Sequence, residues 1–156
     1  MAAYNKINQF VQDVCSKVHN LGADALFLFL LNAAPSASDT TVDTTTGTLT
    51  IKSVSNSVEI AAGNGYSKGG SAITITTASQ SGGTYTLAGN QILWTAAGGT
   101  IGPFRYICLY NNTAGSTSTR APVAWWDYGT SLTLNNGDSF TVLFNGVNPG
   151  TIFTLA

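Results

Sequence analysis

The chain has 156 residues, of which 44% are hydrophobic and only 8% are charged, with a formal net charge of −1. An average soluble protein is about 25% charged, so the solvent-facing positions here must be largely hydroxyls and amides, which desolvate at modest cost. The six Lys and Arg are scattered from Lys6 to Arg120 without a run, which excludes a phosphate-tracking stripe for nucleic acid. The composition favours a component of an assembly over a freely diffusing catalyst.

The length fits one domain, 1–156. Ile7, Phe10, Val11, Val14 and Val18 recur at steps of three and four, which predicts a helix over about 5–20. Asn5 stands where a cap is wanted and Gly22 where a left-handed terminator is common. Lys17 follows Asp13 by four residues, the favourable order for a surface pair. His19, the only histidine, would sit near the C-terminal end of this helix and complement its dipole.

Beyond the helix the pattern is β. Ala25 to Leu31 is apolar at both alternating sets of positions, which predicts a central strand covered on both faces, with the N-terminal helix on one of them. It is also far too short to span a bilayer. Residues 35–48 hold Ser, Thr and Asp with almost nothing to bury and read as a long loop or arm. Short alternating runs follow: Leu49/Ile51, Val58/Ile60, Ile73/Ile75, Tyr85/Leu87, Ile92/Trp94, Phe104 to Tyr110, Val123 to Tyr128, Leu132/Leu134, Phe140/Val142/Phe144 and Ile152 to Leu155. Their spacing is that of a sandwich or barrel. The fold expected is mainly β, a jelly-roll-like β-sandwich with one N-terminal α-helix. At Asn136-Gly137 the apolar register favours Leu134 opposite Phe140 and Leu132 opposite Val142, hence a hairpin loop of odd length.

Motifs for chemistry are sparse. Gly63-Asn64-Gly65-Tyr66-Ser67-Lys68-Gly69-Gly70 departs from both the dinucleotide and the P-loop patterns and reads as a glycine-rich turn. A single histidine cannot make a multi-histidine metal site, and Asp39 and Asp43 lack the calcium-loop spacing, so they read as solvated loop carboxylates. No cofactor is expected. Cys15 and Cys108 show no CxxC spacing and are expected as two buried, reduced thiols. The N-terminal residues lack the order of a signal peptide, so the product is expected to stay in the cytoplasm where it is made, without a membrane partner. The Asn111-Asn112-Thr113 sequon carries little weight in that setting.

Arg105 lies among apolar neighbours in Phe104 to Tyr110. Alternation puts Phe104, Tyr106, Cys108 and Tyr110 on one face and Arg105, Ile107 and Leu109 on the other. A buried arginine needs a partner, and Asp127, itself between aromatics, is the expected one, giving a partly buried structural ion pair. Trp94, Trp125, Trp126 and Tyr128 are expected in the core or at an interface. Exposed and coplanar, they would instead offer a platform for carbohydrate.

The segments Val18-His19-Asn20-Leu21-Gly22-Ala23-Asp24, Ile60-Ala61-Ala62-Gly63-Asn64-Gly65-Tyr66, Gly82-Gly83-Thr84-Tyr85, Gly102-Pro103-Phe104-Arg105-Tyr106 and Trp125-Trp126-Asp127-Tyr128-Gly129 resemble those of a family of small virion structural proteins of tailed bacteriophages. The sequence departs from that pattern around Thr40 to Ser57, where a longer Thr- and Ser-rich stretch replaces a shorter connection. The resemblance implies a non-enzymatic virion protein, made in the host bacterial cytoplasm, with a capsid decoration or cement role on the outer head surface. Its partners would be the major capsid protein of the same phage and further copies of itself, as a dimer or trimer. A tail or fibre-base component, or a carbohydrate-binding module for host attachment, is the alternative.

Overall fold

The apolar run of the second strand sets the architecture. The computed structural model describes Ala2 and residues 4–156. In chain order the elements are β1 (Tyr4–Lys6), α1 (Gln9–Cys15), β2 (Leu26–Leu31), β3 (Thr41–Asp43), β4 (Thr50–Lys52), β5 (Ser71–Ala72), β6 (Ile75–Ser81), β7 (Thr84–Gly89), β8 (Ile92–Thr95), β9 (Ile101–Asn111), β10 (Ala121–Leu134), β11 (Ser139–Val142), a 3-10 turn at Phe144–Gly146, and β12 (Gly150–Leu155). The protein is mainly β, with one α-helix. A five-stranded sheet has the order β1-β10-β9-β2-β5; β12-β7-β6, β11-β8 and β3-β4 form smaller sheets. Every strand pair in them is antiparallel. From β7 onward the pairs are nested: β9 with β10, β8 with β11, β7 with β12.

β2 is buried along both of its faces, which is why alternation fails in its sequence. Leu26, Leu28 and Leu30 point into the main core, where they meet Ile107, Leu109, Val123 and Ala124 of the same sheet. Leu87, Ile92, Trp94, Ile152 and Phe153 close that core from the β12-β7-β6 and β11-β8 side. Phe29 and Leu31 point the other way, into a second core with Tyr106, Cys108 and Tyr110. The lid of that second core is the β3-β4 hairpin, through Val42, Leu49 and Ile51.

The stretch read as a loop or arm is thus partly a covering layer. Val42 and Ile51 are fully buried, and these few apolar residues suffice because each lands on the sheet. Two carboxylates fasten the polar remainder. Asp39, expected in solvent, is fully buried and accepts from the N–H groups of Ser36, Val54 and Ser55 and from the Ser55 hydroxyl at 2.6–2.9 Å. Glu59 accepts from the Leu49 N–H at 3.0 Å, the Tyr66 hydroxyl at 2.7 Å and the Gly69 N–H at 2.8 Å. Tyr66 in turn accepts from the Leu30 N–H, and burial with the adjacent Glu59 charge pushes its pKa far up. The glycine-rich segment therefore is a turn, and one that anchors a buried tyrosine. Gly70 is required there: its φ is +74° and a Cβ would overlap the Leu28 carbonyl.

The helix is shorter than its periodicity predicts. Residues 4–6 instead pair with Trp126 to Ala124 of β10, and Ile7 extends that pairing through its N–H to the Val123 carbonyl. The backbone bonds offered by a free strand edge outweigh about one further helical turn at the N-terminal end. Asn8, not Asn5, precedes the helix, and Lys17 leaves it with φ 61°. Ile7 and Phe10 are buried, whereas Val11 and Val18 are exposed. Asp13 accepts from the Gln9 side-chain amide, not from Lys17.

The expected hairpin at 136–137 is also absent. Leu134 pairs with Ile101 and Leu132 with Phe104, while Phe140 and Val142 pair with Trp94 and Ile92 of β8. Residues 135–138 hand the chain from one sheet to the other, closed by the Asp138 carboxylate on the Asn135 N–H. Trp94 offers Phe140 a near-parallel ring, 11° between planes and 6.4 Å between centroids, a larger apolar contact than Leu134 could supply.

If the 41–52 hairpin is a true covering layer, Ile51→Ala should behave as a core truncation and cost about 2–5 kcal/mol in urea unfolding. Asp39→Ala, which strands several buried donors, should cost about 2 kcal/mol. Burial of Asp39 opposes its charge, but the Ser55, Ser36 and Val54 bonds outweigh this and hold its pKa below the ordinary carboxylate value. Its contribution is therefore complete above about pH 4 and is lost as pH falls through the depressed value. Acid titration of Asp39→Ala should lack that part of the slope; identical slopes for variant and wild type would refute the assignment.

Candidate binding surface

Arg105 Nε and Nη2 donate to Asp127 Oδ1 and Oδ2, both at 2.8 Å. Register explains the meeting, since Asp127 is the partner of the adjacent Tyr106. The side chains are 39% and 31% exposed, and the Arg105 guanidinium also lies 5.2 Å from the centroid of the Tyr106 ring. The Asp127 bond raises the arginine pKa, and the arginine bond, with help from the Gly129 N–H, lowers that of Asp127. The face expected for Arg105 is not the one observed. Between Asp127 and Leu132 the β10 strand spends five steps while β9 spends two, and past this irregularity Phe104 joins Ile107 and Leu109 in the main core. Arg105 is left at the margin beside the exposed residues 128–131.

The four aromatics part company. Trp94 is buried against Tyr66 and Phe140. Trp125 packs edge-on to Tyr106, toward the second core. Trp126 and Tyr128, on the opposite face, share a cleft of about 460 Å³ with Tyr4, Phe140, Leu143 and Phe144. It opens between β1 and β10 on one side and β11, the 3-10 turn and β12 on the other. Its rings meet edge to face, 69° for Tyr4 with Trp126 and 80° for Tyr128 with Phe140, so no flat platform results. Thr141, Asn145 and Thr151 supply its polar groups. The Tyr4 hydroxyl, pushed up to about 12 by burial, stays neutral at physiological pH. Such a cleft receives apolar groups without demanding a charge.

His19 is likewise not at the helix end. Its ring packs on Phe10 at 5.2 Å and its Nδ1 accepts from Asn111 Nδ2 at 3.0 Å, so the neutral ring carries its proton on Nε2. Burial lowers its pKa, with Asp13 and Asp24 pulling the other way. Asn111, fully buried, also donates to Asp24 and accepts from the N–H groups of Thr113 and Ala114. The sequon asparagine is therefore consumed inside the fold. Cys108 is buried and its pKa strongly raised by that burial. Cys15, expected to be buried, is exposed; both thiols are free.

All seven carboxylates accept hydrogen bonds within the chain. Asp43 shows how completely, its pKa pulled down to about 2 by the Thr45 hydroxyl and N–H and by Lys52. Arg105 and Lys52 are paired, and Arg120 donates to the carbonyls of Thr113 and Gly115. What remains charged and unengaged among the described residues is Lys6, Lys17 and Lys68. Residues 69–104 and 139–156 contain no charged side chain. Those two stretches supply every residue of β6, β7, β8, β11 and β12. One whole layer of the molecule, cleft border included, is therefore uncharged. Mapping the charges along the chain would have revealed this; reading only their total does not.

Comparison of the chain with protein-family models, with curated proteins and with solved structures finds no match. No helix among the described residues is long and apolar enough to cross a membrane.

Alkylation of the native protein should label Cys15 alone, and denaturation should add Cys108; two labels in the native state would contradict the burial described. In a double-mutant cycle on thermal unfolding, Arg105→Ala and Asp127→Ala should be non-additive. Strict additivity would show that the pair does not couple.

Proposed function

We propose that this chain is a non-enzymatic structural protein of a tailed-phage virion, a decoration protein that binds the outside of the head shell and stabilises it. The observation that carries the reading is the uncharged layer. A surface of Thr, Ser, Asn, Gln and scattered apolar side chains packs against a second protein without stripping water from ions. Leu93, Leu143 and Val147, all on that layer, are 44–55% exposed and are candidates for such contact. The carboxylates, already hydrogen-bonded within the fold, serve its integrity. The resemblance of the segments around Gly82, Phe104 and Trp125 to phage virion proteins supports the same setting. The edge-to-face rings of the cleft favour protein contact over a stacked sugar. Copies on a repeating shell let modest contacts act together, and self-association as a dimer or trimer extends the effect.

Binding through an uncharged layer should depend little on salt, because screening acts on exposed charges. Purified protein mixed with heads lacking it should bind stoichiometrically at low and near-molar salt and raise the temperature at which the heads rupture. Binding abolished by salt would overturn the mechanism. Recovery only in tail fractions at low copy number would overturn the head assignment in favour of the tail alternative.

A further inference from the structure

We infer that β6 is a dimerisation edge, at which two copies of this chain join by antiparallel pairing of residues 77–81 about a twofold axis. The inference rests on the self-association included in the proposed function and names the surface responsible.

β6 is the outer strand of the β12-β7-β6 sheet, bonded to β7 on one side. An edge strand presents a row of backbone donors and acceptors, and monomeric proteins blunt it with lysine, proline, a bulge or brevity. The other edges here are blunted. β1 is three residues long and ends on Lys6; β5 is two residues; β3 and β4 carry Asp43 and Lys52. β8 and β11 are four residues each, and the start of β12 is covered by the turn at Phe144, against whose carbonyl Gly150 is pressed. β6 has seven residues and neither charge nor proline. Its one register shift lies between Ile75 and Thr77, so Thr77 to Ser81 run regularly against Ala88 to Thr84.

That stretch, Thr77-Ala78-Ser79-Gln80-Ser81, is complementary to itself. A twofold centred on Ser79 sets Thr77 opposite Ser81 and Ala78 opposite Gln80, with Ser79 opposite its counterpart. Thr77, Ser79 and Ser81 are exposed on one face, giving cross-strand hydroxyl pairs, while Ala78 on the other packs against the main core. No like charges oppose one another. The product is a six-stranded sheet continuous across two copies, an isologous and closed contact, which leaves the outer face of the uncharged layer and the aromatic cleft free for the shell.

The test uses the full chain in solution. By sedimentation equilibrium at micromolar concentration the wild type should be a dimer. Ser79→Lys, which sets two ammonium groups face to face at the axis, should be monomeric with an unchanged far-ultraviolet circular-dichroism spectrum, and so should Ser79→Asp. Mixing the two should restore a dimer containing one copy of each by native mass spectrometry, an outcome a merely misfolded variant cannot give. Val58→Lys, a change at an exposed position outside the layer, should leave the dimer intact. A wild-type monomer or trimer would overturn the inference, as would a dimer that survives Ser79→Lys or a mixture that stays monomeric. Head binding by the monomeric variants is measured separately, so failure of the edge and failure of the decoration reading are distinguishable.

Discussion

The rest of the structure depends on one constraint: the centre of the five-stranded sheet is desolvated on both faces. β2 and the middle of β9 present large apolar side chains up and down, so neither face can be left to water. The main core satisfies one face with strands that alternate conventionally. The other face must be covered by what the chain has available, a Thr- and Ser-rich hairpin with three well-placed apolar residues, Val42, Leu49 and Ile51. A hairpin that small cannot hold itself together by apolar burial alone, since isolated two-stranded ribbons are marginal. The buried carboxylates of Asp39 and Glu59 make up the difference by gathering backbone N–H groups from segments that would otherwise be loops.

This use of charge links the fold to its surface. Each carboxylate gathers donors from within the chain: Asp39 and Glu59 under the hairpin, Asp24 beside Asn111, Asp138 at the crossover between sheets, Asp127 beside the β10 excursion. Internal use of the carboxylates leaves few charges unengaged outside, and the scarcity is greatest in the layer formed by β6, β7, β8, β11 and β12, whose residues carry none. There the chain closes the main core from outside with side chains that alternate between apolar and hydroxyl-bearing. A layer of that kind suits contact with another protein, and the same neutrality leaves its longest edge unguarded.

Much of the architecture was legible in the sequence. Two-faced burial of β2 follows from the failure of alternation at 26–31, and most later strands follow from period-two runs bounded by glycine and asparagine. The errors share a physical cause. Local pattern alone points the wrong way at residues 4–6, at 136–137 and for the face of Phe104, because each is decided by a partner distant in sequence: the free edge of β10, the ring of Trp94, and an excursion in the neighbouring strand. Asp39, a carboxylate among serines and threonines, has the local pattern of a solvated group, and only the fold brings several N–H groups together on it.

The sequence by itself determined the class of the protein, the two-sided central strand and the scarcity of charge, because these depend on composition and on periodicity within a few residues. Only the tertiary structure decided that the polar arm is a layer of the fold and that Asp39 and Glu59 turn inward beneath it. It also decided that Trp126 and Tyr128 share a cleft while Trp125 faces away, and that the uncharged strands β6, β7, β8, β11 and β12 lie together in one layer. Each of these depends on which segments become neighbours, and in an antiparallel fold with nested pairing neighbours are set by long-range backbone bonds and shared burial, which no local pattern encodes.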